Sequence, residues 1–566
     1  MKIQSLGVFL LCAGLVACQP ENEIPTEAVT INVDFSETVG PMYPAWAWFG
    51  YDEPNYTYME HGKKLLSEIA EFSPVPVYVR AHNLLNTGDG TPALKWGSTN
   101  IYTEDAAGNP VYDWEIVDRI FDTYVERGMR PLVEIGFMPK ALSSNPEPYK
   151  HSWRPGAPYS DIYTGWAYPP EDYEKWAELV YQWVNLCVDR YGKEEVETWY
   201  WEPWNEPNIG YWQGTTEEYI KLYDYTVNAV RRALPTAIVG GPHSTGPSWD
   251  QAEEFLRTFL DHIVSGTNYV TGETGAPLDF IAYHAKGGPT LKDGTILMNM
   301  GTQLRDVSKG FEIVASYPEL KDVPIVLGES DPEGCAACSE QDYPENAYRN
   351  GTMYSSYTAA SFPRKYRLAD HYDVNLKGTL SWSFQFEGQP FFNGYRSLAT
   401  NGIDKPVLNV FRMFAKMHGD RVEVSGDLAY DYIAVRDSSV RGTERDINAF
   451  ATINDTMATV LVWNYHDLNV ITPDTAVAIQ LSGLPANRAT LYHYRVDQEH
   501  SNAYTVWKEM GAPQNPTPEQ YQKLEVAGNR LHMYEKPDKV RISGGKYAKV
   551  VNLPGQAVSL LVLKWE

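Results

Sequence analysis

Cysteine is scarce in this chain: 566 residues carry five, and two of these, Cys12 and Cys18, fall in an apolar leader. So few thiols exclude a disulfide-stapled miniature fold and leave no second pair with which to build a zinc ribbon. Cys187 sits in an amphipathic helical pattern and reads as a buried free thiol. Basic residues are also in short supply, 47 Lys and Arg against 73 Asp and Glu, for a net charge of −26. Nucleic acid and anionic membrane surfaces would repel such a chain, so neither is expected as a partner. A strongly polyanionic substrate is disfavoured on the same ground without being excluded. Beyond residue 18 no apolar run approaches the ~20 residues a membrane helix needs. Internal repeats, low-complexity tracts and a Gly-rich phosphate turn after the first strand-like run are all missing, which argues against solenoids and dinucleotide-binding open sheets.

What is present begins with Met1-Lys2, an apolar stretch over residues 6–17 and the sequence Leu15-Val16-Ala17-Cys18. A basic start, an apolar core too short to span a bilayer and small residues before a cut describe a signal peptide over residues 1–18. The last four residues resemble a bacterial lipobox, which implies lipidation of Cys18. The expected product is exported and anchored to the bacterial outer membrane through that lipid alone, on its periplasmic or cell-surface face. Residues 19–28, short, polar and acidic, read as a disordered tether.

From residue 45 to about 415 short apolar or aromatic runs alternate with longer helical patterns. The runs occupy residues 45–51, 75–83, 130–139, 196–208, 237–243, 279–287, 323–330 and 378–388. Helical patterns at 114–127, 173–191, 216–234 and 249–264 separate several of them. Eight strand-like runs with helices between them predict an α/β fold, a (β/α)8 TIM barrel, over residues 41–418. After Lys416 the pattern changes to strand-like runs at 430–435, 447–454, 457–464, 475–481, 489–495 and 555–565, with one helical insertion around 516–526. Residues 419–566 are therefore predicted to form an accessory C-terminal β-sandwich, with the alternating stretch 29–40 placed to add a strand to it.

The fourth run ends in Trp201-Glu202-Pro203-Trp204-Asn205-Glu206-Pro207-Asn208, the seventh in Val326-Leu327-Gly328-Glu329-Ser330-Asp331. Strand C-termini of a TIM barrel converge on its catalytic face, so both glutamates are candidates for chemistry. Glycoside hydrolysis needs two carboxyl groups, one to protonate the leaving oxygen and one to attack the anomeric carbon or activate water. Glu206, flanked by Trp201, Trp204 and Trp212, suits the acid, because apolar burial and a second carboxylate keep a carboxyl protonated. Asn205 is placed to hydrogen-bond a sugar hydroxyl beside the reacting carbon. The 17 Trp and 39 Tyr suit a carbohydrate-binding cleft and equally suit a large core.

These motifs resemble clan A of the glycoside hydrolases, and several further segments resemble glycoside hydrolase family 39, the β-xylosidase and α-L-iduronidase family. They are Val79-Arg80-Ala81-His82, Asp279-Phe280-Ile281-Ala282-Tyr283-His284, Trp382-Ser383-Phe384-Gln385-Phe386-Glu387, Phe392-Asn393-Gly394-Tyr395-Arg396-Ser397-Leu398, and the stretch from Gly402-Ile403-Asp404 to Val410-Phe411. The resemblance implies a retaining enzyme with Glu206 as acid/base and Glu329 as nucleophile. It also implies that His82, Asn205, His284 and Glu387 contact the sugar. Tyr283, Trp382 and His243 join them as candidate substrate-binding residues from their places at the strand ends. Xylosidases of the family carry a tyrosine where this chain has Lys286, and often two acidic residues where it has Glu387-Gly388. Lys286 therefore reads either as a solvated loop charge or as a reader of an anionic or heavily hydroxylated sugar.

His82, His243 and His284 at one barrel mouth raise the question of zinc. Metal-dependent barrel hydrolases usually show His-x-His at the first strand, and this chain has none, so no metal or other cofactor is expected. Cys335-Ala336-Ala337-Cys338 reads as a disulfide stiffening the loop after Glu329. The leading expectation is an exo-acting, β-xylosidase-like glycosidase on oligosaccharides derived from plant-type or other polysaccharides. An endo-acting clan A glycanase and a lipid-anchored, non-catalytic glycan-binding protein stay open beside it.

Overall fold

The computed structural model describes residues 27–152 and 161–566; the expected signal peptide, Cys18 and most of the tether lie outside the described residues. Seven parallel strands, Trp48–Tyr51, Tyr78–Ala81, Arg130–Glu134, Tyr200–Glu202, Ile238–Ser244, Phe280–Tyr283 and Ile325–Leu327, follow one another around a barrel. The eighth is broken into Leu376–Thr379, which pairs with the seventh, and Ser381–Trp382, which pairs with Phe49 and Gly50 of the first. That last pairing closes the ring. Each predicted run overlaps one of these strands. Both faces of a barrel strand are covered, by the interior on one side and by helices on the other, so apolar runs without clean alternation are what the fold demands.

The helices carry their own start and stop signals. Tyr173–Tyr191 opens on Asp172, whose side chain accepts from the N–H groups of Glu174 and Lys175, and closes on Gly192 at φ +86°. Its buried residues Trp176, Leu179, Val180, Trp183, Val184 and Cys187 recur at helical spacing and form the stripe that packs on the barrel. Cys187 is a buried free thiol. Thr216–Ala233 begins with a capping box between Thr215 and Glu218.

A second, nine-stranded sheet forms the accessory unit, in the order Met533–Arg541, Arg488–Val496, Val558–Trp565, Met457–Tyr465, Asp446–Ile453, Asp420–Gly426, Val29–Pro41, Thr475–Ser482 and Tyr547–Leu553. It is antiparallel except where the N-terminal strand runs parallel to Thr475–Ser482. Strands from both ends of the order share one apolar core, with Leu491 and Val540 joining Ile479 and Val551, so the sheet folds over on itself as a sandwich. One expectation fails: the run at 430–435 is not a strand. Asp431 caps the backbone N–H groups of Ile433 and Ala434 and starts the helix Tyr432–Ser438. Met533–Arg541, an additional strand, is almost wholly exposed and contains Pro537, features of a sheet edge that leave no apolar alternation to read.

The helix Thr352–Tyr372 lies between barrel and sandwich and is buried nearly all round. Tyr366 stacks on Phe450 with ring centroids 5.7 Å apart. Arg364 Nη2 lies 2.7 Å from the fully buried Asp446 Oδ2, which also accepts from Trp463 Nε1 at 2.6 Å. Arg364→Met removes the countercharge of a buried carboxylate and should destabilise the chain by about 3–5 kcal/mol. Arg367→Ala, which breaks the half-exposed pair with Glu423, should cost less than about 1 kcal/mol. Urea denaturation of the two variants checks the contrast, and equal losses would refute it.

Candidate active site

The fourth strand ends at Glu202, and the chain then turns through Pro203-Trp204-Asn205 to Glu206. Glu206 has φ +43°, a region few non-glycine residues occupy, and its N–H donates to the carbonyl of His243 at 2.9 Å. His243 is itself left-handed at φ +52°. Two such residues joined by a hydrogen bond mark backbone held in place by its surroundings, a frequent property of reactive sites. Glu329 follows the seventh strand, its carbonyl accepting from Ala285 N–H at 2.8 Å. Gly328 precedes it because the His243 ring packs against that Cα, and an added Cβ would overlap the imidazole.

An oxygen of Glu206, an oxygen of Glu329 and a ring nitrogen of His284 lie within 4.8 Å of one another. His284 Nδ1 is 2.8 Å from Glu206 Oε1 and 3.8 Å from Glu329 Oε1. Lys286, two residues further on the same strand end, bridges the pair, with Nζ 3.4 Å from Glu206 Oε1 and 2.5 Å from Glu329 Oε2. Burial pushes both carboxyls up, but Lys286 and the imidazole of His284 outweigh it and hold both below the usual carboxylate range. Burial would lower the Lys286 pKa, yet the two carboxylates carry it above the ordinary lysine value. Both shifts favour the doubly ionised pair around one ammonium. This differs from the sequence expectation, in which apolar burial and a second carboxylate keep Glu206 protonated. Among the described residues, Glu206, Glu329 and His284 are the group whose donors converge as a metal site would require, and Lys286 already supplies the cation there.

Beneath the pair lies Arg80, wholly buried. Its Nε is 2.5 Å from Glu202 Oε1, Nη2 is 3.0 Å from Glu134 Oε2 and 3.2 Å from Asn205 Oδ1, and Nη1 is 3.0 Å from His82 Nε2 and 3.4 Å from Glu329 Oε1. Arg80 and His82 share one face of the second strand because side chains alternate with period two. With Oδ1 of Asn205 accepting from Arg80, its amide nitrogen is left as the donor for other partners. His82 packs at a tilt of 41° against Trp382 with ring centroids 4.2 Å apart, and the same indole lies under the Arg80 guanidinium. Burial pushes the Glu134 carboxyl far above the carboxylate range, against the pull of Arg80.

The structure thus gathers Glu206, Glu329, His82, Asn205, His284, Lys286 and Trp382 and sets three other candidates apart. Tyr283 points outward between barrel and helices, its hydroxyl donating to the Val307 carbonyl at 3.0 Å, since period-two alternation sends it opposite His284. His243 is fully buried against Glu202, which engages its Nε2, and is a partner of that carboxylate. Glu387 is half-buried with Oε2 3.3 Å from the N–H of His61, at the positive end of helix Glu60–Phe72, where a carboxylate is favoured. Cys335 and Cys338 form a disulfide. Arg349 donates to the carbonyls of both cysteines, at 2.7 and 3.1 Å, and contacts Glu333, fastening the loop that follows Glu329.

Sequence reading passed over Glu134, Glu202 and Asp52 as members of this cluster. A signal existed for the first two, which end the third and fourth strands beside Arg80 on the second. Arg80→Met should leave Glu202 and Glu134 buried without their cation and cost about 3–5 kcal/mol. Chemical denaturation measures this, and a loss below about 1 kcal/mol, the range of an exposed pair, would contradict it.

Comparison with known proteins agrees with this geometry. Residues 29–545 match the glycosyl hydrolases family 39. A β-xylosidase of Caldicellulosiruptor saccharolyticus is 29% identical over 424 residues, 72% of this chain and 75% of that protein. An α-L-iduronidase of Mus musculus is 24% identical over 382 residues, 62% of this chain and 56% of that protein. The fold is shared with a monomeric β-xylosidase from Caulobacter crescentus CB15, with TM-score 0.72, 21% identity and coverage of 95% of this chain and 100% of that one. With most of its length matched to the family and two strand-end carboxylates drawn together over a buried arginine, the chain belongs to glycosyl hydrolases family 39 and is a glycoside hydrolase.

Proposed function

We propose that this enzyme is an exo-acting retaining glycosidase in which Glu329 is the nucleophile and Glu206 the acid/base. The observation that carries the reading is the approach of the two carboxylates to within 4.8 Å between their nearer oxygens. Retaining enzymes hold the pair ~5–5.5 Å apart, and inverting enzymes ~6.5–9.5 Å, to leave room for water. Glu329 attacks the anomeric carbon while Glu206 gives its proton to the departing glycosidic oxygen. Glu206, now a carboxylate, takes a proton from the water that cleaves the glycosyl ester, returning the nucleophile. Both carboxyl groups are buried, which supports a pocket that admits a chain end over an open cleft.

The acid must acquire a proton that Lys286 discourages in the empty site. A sugar that draws the ammonium away from Glu206 removes the strongest force holding that carboxyl ionised and lets burial raise it. A ring bearing a carboxylate, or dense in hydroxyls, does this; an unsubstituted pentose has less to offer. Lys286 therefore favours a terminal anionic or hydroxyl-rich sugar over a plain xyloside, and the α-L-iduronidase relatives are consistent with an acidic ring. We propose further that residues 1–18 direct export and that Cys18 carries a lipid, a reading that rests on the leader pattern; Cys18→Ser should shift the enzyme from membrane to soluble fraction.

Aryl glycosides assayed on the form lacking residues 1–18 test the reaction. The first-formed sugar, followed by proton NMR, should keep the anomeric configuration of the substrate, and an inverted product would overturn the assignment. Glu329→Ala should lose at least about a thousandfold in kcat, in line with loss of a covalent nucleophile. Aryl uronides should be turned over faster than aryl β-xylosides, and the reverse order would refute the role given to Lys286. Lys286→Met removes a cation from both carboxyls, so the pKa of each must rise. Both limbs of the pH profile of kcat/KM should then move to higher pH, and unmoved limbs would show that Lys286 is uncoupled from the pair.

A further inference from the structure

Lys95 lies in the long connection between the second barrel strand and helix Glu115–Val125, remote in sequence from every strand-end motif. Its side chain is only 4% exposed, and Nζ is 2.8 Å from Asp52 Oδ2. The other oxygen of Asp52 is 2.9 Å from Nδ1 of His82, and Nε2 of His82 is 3.5 Å from Glu329 Oε1. A line of buried groups thus runs from a loop lysine to the oxygen assigned to nucleophilic attack. The backbone holds the lysine deliberately in place: Lys95 has φ +58°, a conformation that favours glycine, and its N–H donates to Glu53 Oε1 at 2.7 Å. Asp52 is anchored as well, its carbonyl accepting from Asn83 Nδ2 at 2.8 Å.

We propose that Lys95 is a positioning residue for glycoside cleavage, acting through Asp52 to keep His82 as the neutral Nδ1–H tautomer beside the nucleophile. The inference rests on Glu329 being that nucleophile. The charged groups that face His82 are Asp52 from the end of the first strand, Arg80 on its own strand, Glu134 from the third and Glu329 from the seventh. Arg80 Nη1 donates to Nε2, which requires a lone pair there and therefore the proton on Nδ1, where Asp52 accepts it. Burial and Arg80 both oppose a second proton, and His82 is held down at about 4. An unneutralised Asp52 carboxylate in this buried place would draw that proton onto the ring. The resulting imidazolium would lose the bond from Arg80 and turn its Nε2–H toward Glu134 and Glu329, 3.1 and 3.5 Å away, drawing on the electron pair needed for attack. Lys95 supplies the charge that prevents this.

The test uses Lys95→Met and Lys95→Arg in the otherwise intact enzyme, with 15N-labelled histidine. In the parent enzyme His82 should show one protonated and one unprotonated ring nitrogen at pH 5. In Lys95→Met both nitrogens should be protonated at that pH, and Lys95→Arg should restore the neutral pattern. Kinetically, Lys95→Met should lose about tenfold in kcat/KM at pH 5, equivalent to a rise of about two units in the His82 pKa, and recover to within about twofold at pH 8. A parent His82 already cationic at pH 5, or an imidazole unchanged in Lys95→Met, would overturn the proposal, as would a loss of rate equal at all pH. The NMR result stands without turnover, so it holds even if Lys95→Met is too unstable to assay, because the parent spectrum alone can refute it. Turnover surviving in Glu329→Ala would instead sink the nucleophile assignment, and that outcome is distinct from a failure confined to Lys95→Met.

Discussion

The site depends on one buried cation. Arg80 has no exposed surface and is surrounded by Glu134, Glu202, Glu329, Asn205 and His82, contributed by the second, third, fourth and seventh strand ends. A guanidinium suits this place because it never gives up its proton and its planar fork donates in several directions at once. Its cost is desolvation, which only near-complete pairing offsets. That requirement constrains the neighbours: Glu202 is the ionic partner, Glu134 is driven towards its protonated form, Asn205 turns its carbonyl inward, and His82 must keep Nε2 unprotonated. Each catalytic neighbour acquires its orientation from satisfying the arginine.

Above this floor, charge is balanced by groups that can move. Lys286 reaches both Glu206 and Glu329 from a strand end whose own backbone is tied to the Glu329 segment through Ala285. A long, flexible ammonium is easily redirected, unlike the rigid fork below it. The layers differ in kind: Arg80 and Trp382 hold geometry, while Lys286 holds the Glu206 and Glu329 carboxyls below the usual carboxylate range. The loop beyond Glu329, stapled by Cys335–Cys338 and fastened by Arg349, forms a wall beside the lysine, with Gly334 near its Cδ.

Local pattern carried much of this. The alternation of eight apolar runs with helices is enough to specify the barrel, because each strand end and each capped helix is a property of a few adjacent residues. Glu206 and Glu329 were legible for the same reason: each ends a run, and strand ends face the catalytic mouth. Tyr283 and His243 were assigned to the sugar from their position near such ends and Glu387 from the family resemblance; the structure turns Tyr283 outward, pairs His243 with Glu202 and sets Glu387 at a helix N-terminus. Facing direction, the φ of one residue or an adjacent helix N-terminus decided each case, and a run of letters does not expose these.

What the amino-acid sequence determined by itself is the architecture and the placing of two carboxyl groups at the barrel mouth, since both follow from periodicity and from residue types at strand ends. What only the tertiary structure decided is their protonation state and their supports. Lys95 meets Asp52 across 43 positions, Arg80 meets Glu202 across 122 and Glu329 across 249, and these distances in sequence carry no local signature. A carboxyl pKa depends on every charge within a few ångströms in a dry interior. Those charges become neighbours only when the barrel closes through the pairing of Trp382 with Gly50.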